Sequence, residues 1–297
     1  MKQRRGVGMI VAVWLVAAAS LAWAAPSSAQ ADAKSTPPQR VMSLYLCSDQ
    51  LLLALLPRER IASISYLAVD TSISYYAKQA AGLPVNYGLA EQAIAARADL
   101  VLTGPFAHRS QIDLLRSLGL NVRSVGYPNS FEGVRKELRD LAALLGTEDV
   151  AEKLLAEMDA RLARIPPAPP RRPLGAIFLG GSATIGKGEF VGDVMARAGF
   201  DNLAERIGIV GVAPLDMEIL LAHEPDLLIV GSSWDGRVSL ASDRLSHPAL
   251  RHAFAGKRLG HMPEHLWTCA GHWSVEAVEL LAAQRPEARL QRGRWTR

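Results

Sequence analysis

The alternation of apolar and polar positions repeats one pattern twice in this chain. Glu91 stands eight residues before Asp99-Leu100-Val101-Leu102, and Glu218 stands eight residues before Asp226-Leu227-Leu228-Ile229-Val230. Each copy reads as a short helix carrying an exposed acid, followed by a buried apolar strand. The copies lie far enough apart for each to belong to its own α/β half. The pattern therefore predicts two lobes.

Ahead of the first copy, the pattern predicts a strand over 40–45, a helix over 48–56 closed by Pro57, and a strand over 60–65. After it come a helix over 111–118 and a strand over 121–125. From Ser130 the spacing changes to threes and fours, through Phe131, Val134, Leu138, Leu141 and Leu145, and on through Val150, Leu154, Leu155, Met158 and Leu162. This predicts a long helix with room for one break at Gly146, ended by the proline run that follows Ile165. A second α/β series follows, with a strand from Leu174, a helix over 189–198, the second copy, a strand over 258–262 and a last helix from Ser274. The predicted fold class is α/β, with two Rossmann-like lobes of mostly parallel sheet joined by a long α-helix. The boundaries are 38–128 for the N-terminal lobe, 129–165 for the connecting helix, 172–284 for the C-terminal lobe and 285–297 for a basic tail. Ligands of open parallel sheets bind beyond the carboxyl ends of the strands, so the loops after these strands are expected to line a cleft between the lobes.

Composition adds an address. Lys2, Arg4 and Arg5 precede an apolar run from Val7 to Ala19 and a small-x-small site at Ala22-Trp23-Ala24, which reads as an export signal over 1–24. A second cleavage point lies at Ala29-Gln30-Ala31, so the mature start falls as late as 31 on that reading. Cys47 lies well beyond the apolar run, which argues against lipid attachment and for a free periplasmic protein. The formal charge of +4 drops to +1 without that leader, and the cationic cluster is confined to the C-terminal tail, so no basic stripe for nucleic acid is present.

Several ordered segments carry a resemblance. Arg40-Val41-Met42-Ser43-Leu44, Leu51-Leu52-Leu53-Ala54-Leu55 and Arg60-Ile61-Ala62-Ser63-Ile64-Ser65 precede Asp99-Leu100-Val101-Leu102 and Leu118-Gly119-Leu120-Asn121-Val122; Gly192-Asp193 and Ala198-Gly199-Phe200-Asp201-Asn202-Leu203-Ala204 follow in the second half. In this order and spacing they resemble the periplasmic proteins that deliver ferric siderophores, haem or cobalamin to ABC importers, over roughly the whole mature chain. The resemblance implies a monomeric binding protein with no catalysis and no resident cofactor, whose cargo is an iron or cobalt chelate and whose partner is an inner-membrane permease. It also implies that Glu91 and Glu218 dock into basic pockets of that permease; the alternative for each is a solvated helix residue.

A bulky chelate needs aromatic walls, and the candidates are Tyr45, Tyr66, Phe106, Trp234, Trp267 and Trp273, each at or after a predicted strand. Core packing is the competing role for any one of them. Arg109, Lys187 and Arg237 rank below them as partners for cargo carboxylates. Cys47 and Cys269 are either a disulfide across the cleft or two thiols facing the ligand. The stretch from Gly181 to Gly188 imitates a phosphate-binding loop but lacks the hydroxyl residue after Lys187, leaving its backbone amides free to face cargo on this reading. Direct capture of a bare metal by His108, His261, His265 or His272 is disfavoured, because Pro263 separates the nearest pair. An exported α/β enzyme is the contrasting reading, although the chain has no Gly-x-Ser-x-Gly elbow and no His-Glu-x-x-His helix.

Overall fold

Short apolar strands that are buried along their whole length need cover on both faces, and this is how the chain folds. The computed structural model describes residues 36–179, 182–230, 248–254 and 259–286. The first sheet contains β1 (Val41–Ser43), β2 (Ile61–Ser65), β3 (Val85–Asn86), β4 (Leu100–Thr103) and β5 (Val122–Ser124), in the spatial order β3-β2-β1-β4-β5 and parallel throughout. Its helices are α1 (Leu46–Leu55), α2 (Ala77–Ala80), α3 (Ala90–Ala95) and α4 (Arg109–Ser117). The second sheet has β6 (Leu174–Ile177), β8 (Asp201–Asn202), β10 (Leu227–Val230) and β11 (Leu259–His261), ordered β11-β10-β6-β8 and again parallel. Beside it β7 (Ala183–Ile185) and β9 (Val212–Pro214) form a separate antiparallel pair. Helices α7 (Phe190–Arg197), α8 (Leu203–Arg206), α9 (Met217–His223), α10 (Pro248–Ala253) and α11 (Val275–Ala283) complete this half. Among the described residues no helix is long and apolar enough to cross a membrane.

The two sheets share one topology. In each, the first strand (β1 or β6) is flanked on one side by the second (β2 or β8) and on the other by the strand of the repeated pattern (β4 or β10), with β5 or β11 outermost. The Asp of each copy does the same work. The Asp99 carboxylate accepts the backbone N–H groups of Gln39 (2.6 Å) and Arg40 (3.0 Å), and that of Asp226 accepts Leu174 N–H at 2.8 Å. Each aspartate thus ties the start of its lobe's first strand to the start of its neighbour, satisfying N–H groups that the ladder leaves unpaired.

The helical connector is present, and the break at Gly146 is a reversal. Helix α5 (Phe131–Leu145) starts at Ser130, whose hydroxyl accepts Gly133 N–H, and ends at Gly146 with φ +66°. After Thr147, α6 (Glu148–Leu162) runs back along it, with Arg135 paired to Asp159 and Arg139 to Glu152 at 2.6 Å. In one straight rod, residues 24 apart would stand about 36 Å from each other, so these pairs require an antiparallel hairpin. Only α6 is left to lead into the second lobe, where Arg161 holds Glu279 through two nitrogens, at 2.9 and 2.6 Å.

One buried apolar cluster runs through both halves, from Val41, Leu52 and Ile64, through Phe131, Leu138 and Leu155, to Ile177, Val194, Trp273 and Val278. Full burial of such side chains contributes about 1.5–3 kcal/mol each, so the lobes are held together by shared core as well as by chain connectivity.

Candidate functional site

Every strand of the first sheet ends in a small polar residue and, within three positions, an aromatic ring. The pairs are Ser43 and Tyr45 after β1, Ser65 and Tyr66 after β2, Asn86 and Tyr87 after β3, Thr103 and Phe106 after β4, and Ser124 and Tyr127 after β5. Because the strands are parallel, all five rings belong to one end of the sheet, the carboxyl end. Tyr45 lies where the strand order reverses between β1 and β4, the crevice where open α/β sheets take ligands. Gly104 is required there, since a Cβ would lie 2.7 Å from the Tyr45 ring.

The rings form two exposed pairs around half-buried Tyr45. Tyr66 stacks on Tyr87 with centroids 5.3 Å apart and planes at 22°, and Phe106 meets Tyr127 edge to face at 5.5 Å. These four side chains are between 45% and 73% exposed, an unusual amount of aromatic surface to leave in water in one place. From the second lobe, Glu189 at the start of α7 accepts a hydrogen bond from the Tyr127 hydroxyl at 3.1 Å. Burial, and then that carboxylate, push the Tyr127 phenol up to about 12, so it remains a donor. Sequence reasoning had missed Tyr87, Tyr127 and Glu189; a polar residue followed closely by an aromatic at each strand end is the signal that finds the two tyrosines.

Below the rim, Asp49 on α1 is fully buried and accepts Ser65 N–H at 3.0 Å and the Ser65 hydroxyl. Burial raises its carboxyl to about 7, against hydrogen bonds from Ser43 and Ser65 that lower it.

The other candidates fall out as follows. Trp267 follows β11, is half buried, and donates its indole N–H to Met262 O at 3.3 Å. Arg109 opens α4 three residues after Phe106, exposed, and Lys187 is exposed beside the β7 and β9 pair. Trp234 and Arg237 lie outside the described residues. Trp273 is corrected from cargo wall to core: it is 1% exposed, and its indole stacks on Tyr75 with centroids 5.7 Å apart. Cys47 and Cys269 are joined as a disulfide with Cα atoms 5.2 Å apart, which removes the reading of two free thiols facing cargo. The expectation that amides of the 181–188 segment face cargo does not hold at Gly186 and Lys187. Residues 183–185 are strand, and the Gly186 and Lys187 amides donate to Gly211 O and Ile209 O, so neither can face a ligand.

Hydrogen bonds join the lobes next to the disulfide. The Tyr75 hydroxyl donates to Glu276 at 2.5 Å, and Tyr76 Oη lies 2.9 Å from His272 Nε2. Burial, then Arg161, lower the His272 imidazole to about 4, so it is neutral at neutral pH. Among the described residues no three His, Cys, Asp or Glu side chains converge as a metal site. Glu91 and Glu218 both stand exposed in the first turn of their helices, α3 and α9, one on each lobe.

Comparison with known proteins agrees with this architecture. A 210-residue stretch is 26% identical to a cobalamin-binding protein of Halobacterium salinarum, covering 69% of this chain and 57% of that protein's length. Among solved structures, a periplasmic haem-binding protein of Pseudomonas aeruginosa superposes with a TM-score of 0.66 at 22% identity, covering 85% of this chain and 94% of that one. The haem-binding protein RhuT of Roseiflexus sp. RS-1 in apo form gives 0.65 at 22% identity, over 83% and 97%. The vitamin B12 binding protein BtuF of Vibrio cholerae gives 0.62 at 14%, over 84% and 96%. These structures share the fold. The family profile described as periplasmic binding protein matches residues 41–258, and this chain belongs to that family.

Proposed function

We propose that this chain is the periplasmic substrate-binding component of an ABC importer, carrying a metal chelate of the haem, cobalamin or ferric siderophore class without transforming it. The observation that supports this reading most is the row of five aromatic rings along the carboxyl end of one sheet, with Glu189 of the other lobe reaching across to it. A large, flat or globular cargo with apolar faces can cover several such rings at once, while a small polar solute cannot. The relatives named above for cobalamin and haem point to the same cargo class.

In this reading Glu91 and Glu218 present one carboxylate per lobe to the permease. Exposed charges of this kind act mainly on encounter rate and orientation. The shared core, the disulfide and the Tyr75 and Tyr76 contacts resist wide opening, so cargo is gripped with little lobe movement. The protein acts as a monomer with a leader removed on export. A thermal-shift panel of haemin, cyanocobalamin and several ferric siderophores tests the reading, since a ligand that binds only the native state raises Tm. One member of the panel is expected to shift Tm by several degrees, with unchanged ligand recovered afterwards. Recovery of a converted product would move the chain into the enzyme class.

A further inference from the structure

Four of the five polar residues that end the strands lie buried next to the rings, Ser124 at the sheet edge being exposed. Ser43, Ser65, Asn86 and Thr103 are all buried. The Ser43 hydroxyl bonds to that of Ser48 at 2.7 Å, and the Asn86 amide donates to Ser43 O and to the Ser63 hydroxyl, each at 2.9 Å. Asp49 is the ionisable member of this buried group, and it grips Ser65 by both backbone N–H and side chain. Tyr66 is the next residue, and its ring lies on Tyr87, which follows Asn86 of the same group.

Among the described residues no charged group perturbs Asp49, on which only burial and the Ser43 and Ser65 hydrogen bonds act; the loop bonded to Gln50 of α1 brings Tyr75, and the loop tied to Cys47 brings His272, neutral at neutral pH. Strands β1 and β2 carry no titratable side chain, the 3-10 turn Tyr66–Val69 brings only Tyr66, and Cys47 on its own helix is in the disulfide. We propose, resting on the reading that this rim grips the cargo, that Asp49 is a positioning residue whose proton sets the placement of Tyr66 against Tyr87. When it is ionised, both oxygens accept from Ser65 and hold the end of β2 in place. When it is protonated, one oxygen becomes a donor, so the Ser43 and Ser65 hydroxyls can no longer both bond to it as an acceptor and the network at the end of β2 rearranges. The stack is therefore held more tightly on the alkaline side of neutrality, and cargo binds several-fold more tightly there.

The test uses the full chain without cargo, labelled with 13C in its tyrosine rings and followed by NMR from about pH 5 to about pH 8.5, below the ordinary tyrosine range. Tyr66→Phe and Tyr87→Phe assign the two signals. Both signals are expected to move together with a single midpoint near neutrality in the wild type, and to stay flat in Asp49→Asn. Signals that are flat in the wild type, or that titrate unchanged in Asp49→Asn, overturn the proposal. If Asp49→Asn fails to fold by circular dichroism, Ser65→Ala takes its place and is expected to shift the midpoint; an unshifted midpoint overturns the proposal equally. Haemin, cyanocobalamin and the ferric siderophores of the panel are then titrated at about pH 6 and about pH 8. Coupled ring signals with tighter binding at the higher pH support the whole scheme. Cargo bound equally or less tightly at the higher pH overturns the role of Asp49 in cargo affinity, and coupled signals with no member of the panel bound leave the Asp49 linkage standing and overturn that role together with the function proposed above.

Discussion

Reducing the Cys47–Cys269 bond removes a covalent tie between residues 222 apart in sequence, joining α1 of one lobe to the loop before α11 of the other. The chain-entropy relation for a loop of this length gives about 5 kcal/mol of lost stability at 25 °C, acting through the unfolded state. The native state should survive the loss. Tyr75 remains bonded to Glu276, Tyr76 to His272 and Arg161 to Glu279, and the common apolar core is untouched. Comparing oxidised and reduced wild type by urea unfolding is cleaner than substitution, because Cys269 is fully buried and its truncation would add a cavity. The reduced protein should show a lower midpoint and a steeper m-value, since its unfolded chain is less compact and exposes more surface. Far-UV circular dichroism before denaturant should be unchanged. Oxidised and reduced curves within about 1 kcal/mol of each other would refute the reasoning, as would two titratable thiols per chain in the non-reduced protein under denaturant.

Other consequences follow from single residues. Asp49→Asn should flatten the dependence of stability on pH: with its carboxyl raised from 3.8 to about 7, the wild-type contribution is fully present below the lower value and is lost as pH rises through the upper one, on the order of 4 kcal/mol in all. Denaturation midpoints across that window check it, and equal slopes in the two proteins would contradict it. Gly146→Ala should cost about 1–2 kcal/mol, because the reversal needs positive φ and a Cβ there would lie 2.6 Å from Pro37. Asp226→Ala should destabilise by about 1–3 kcal/mol, leaving the buried start of β6 without its acceptor. Glu91→Lys with Glu218→Lys should leave cargo affinity and Tm unchanged and abolish uptake in cells; normal uptake would remove the docking role.

Much of the fold was legible because long apolar runs determine it. Strands β1, β2, β4, β5, β6, β10 and β11 and helices α1, α4, α7 and α11 lie within a few residues of where the pattern predicts them. Strands β3 and β8 have two residues each, too few to show any period, and this is why Tyr87 was not recognised as part of the rim. The reversal between α5 and α6 was invisible for a different reason. A left-handed glycine cap and a helix break look alike in sequence, and only pairs such as Arg139 with Glu152 distinguish a rod from a hairpin. Trp273 was misassigned because burial of an aromatic depends on its tertiary neighbours, here Tyr75 and Tyr76, which come from the other lobe nearly 200 residues earlier. The repeated Glu was legible as an exposed acid, whereas the role of the repeated Asp as a backbone tie needed coordinates.

The most direct test of the account is an equilibrium titration of haemin, cyanocobalamin and a set of ferric siderophores against the wild type, Tyr66→Ala and Phe106→Ala. One member of the panel should saturate the wild type at one equivalent, and each alanine should weaken it by about 1–2 kcal/mol, roughly tenfold, while Tm stays within a few degrees. Binding that is unaffected by both alanines, or absent across the whole panel, would contradict the claim that this aromatic rim holds a metal chelate.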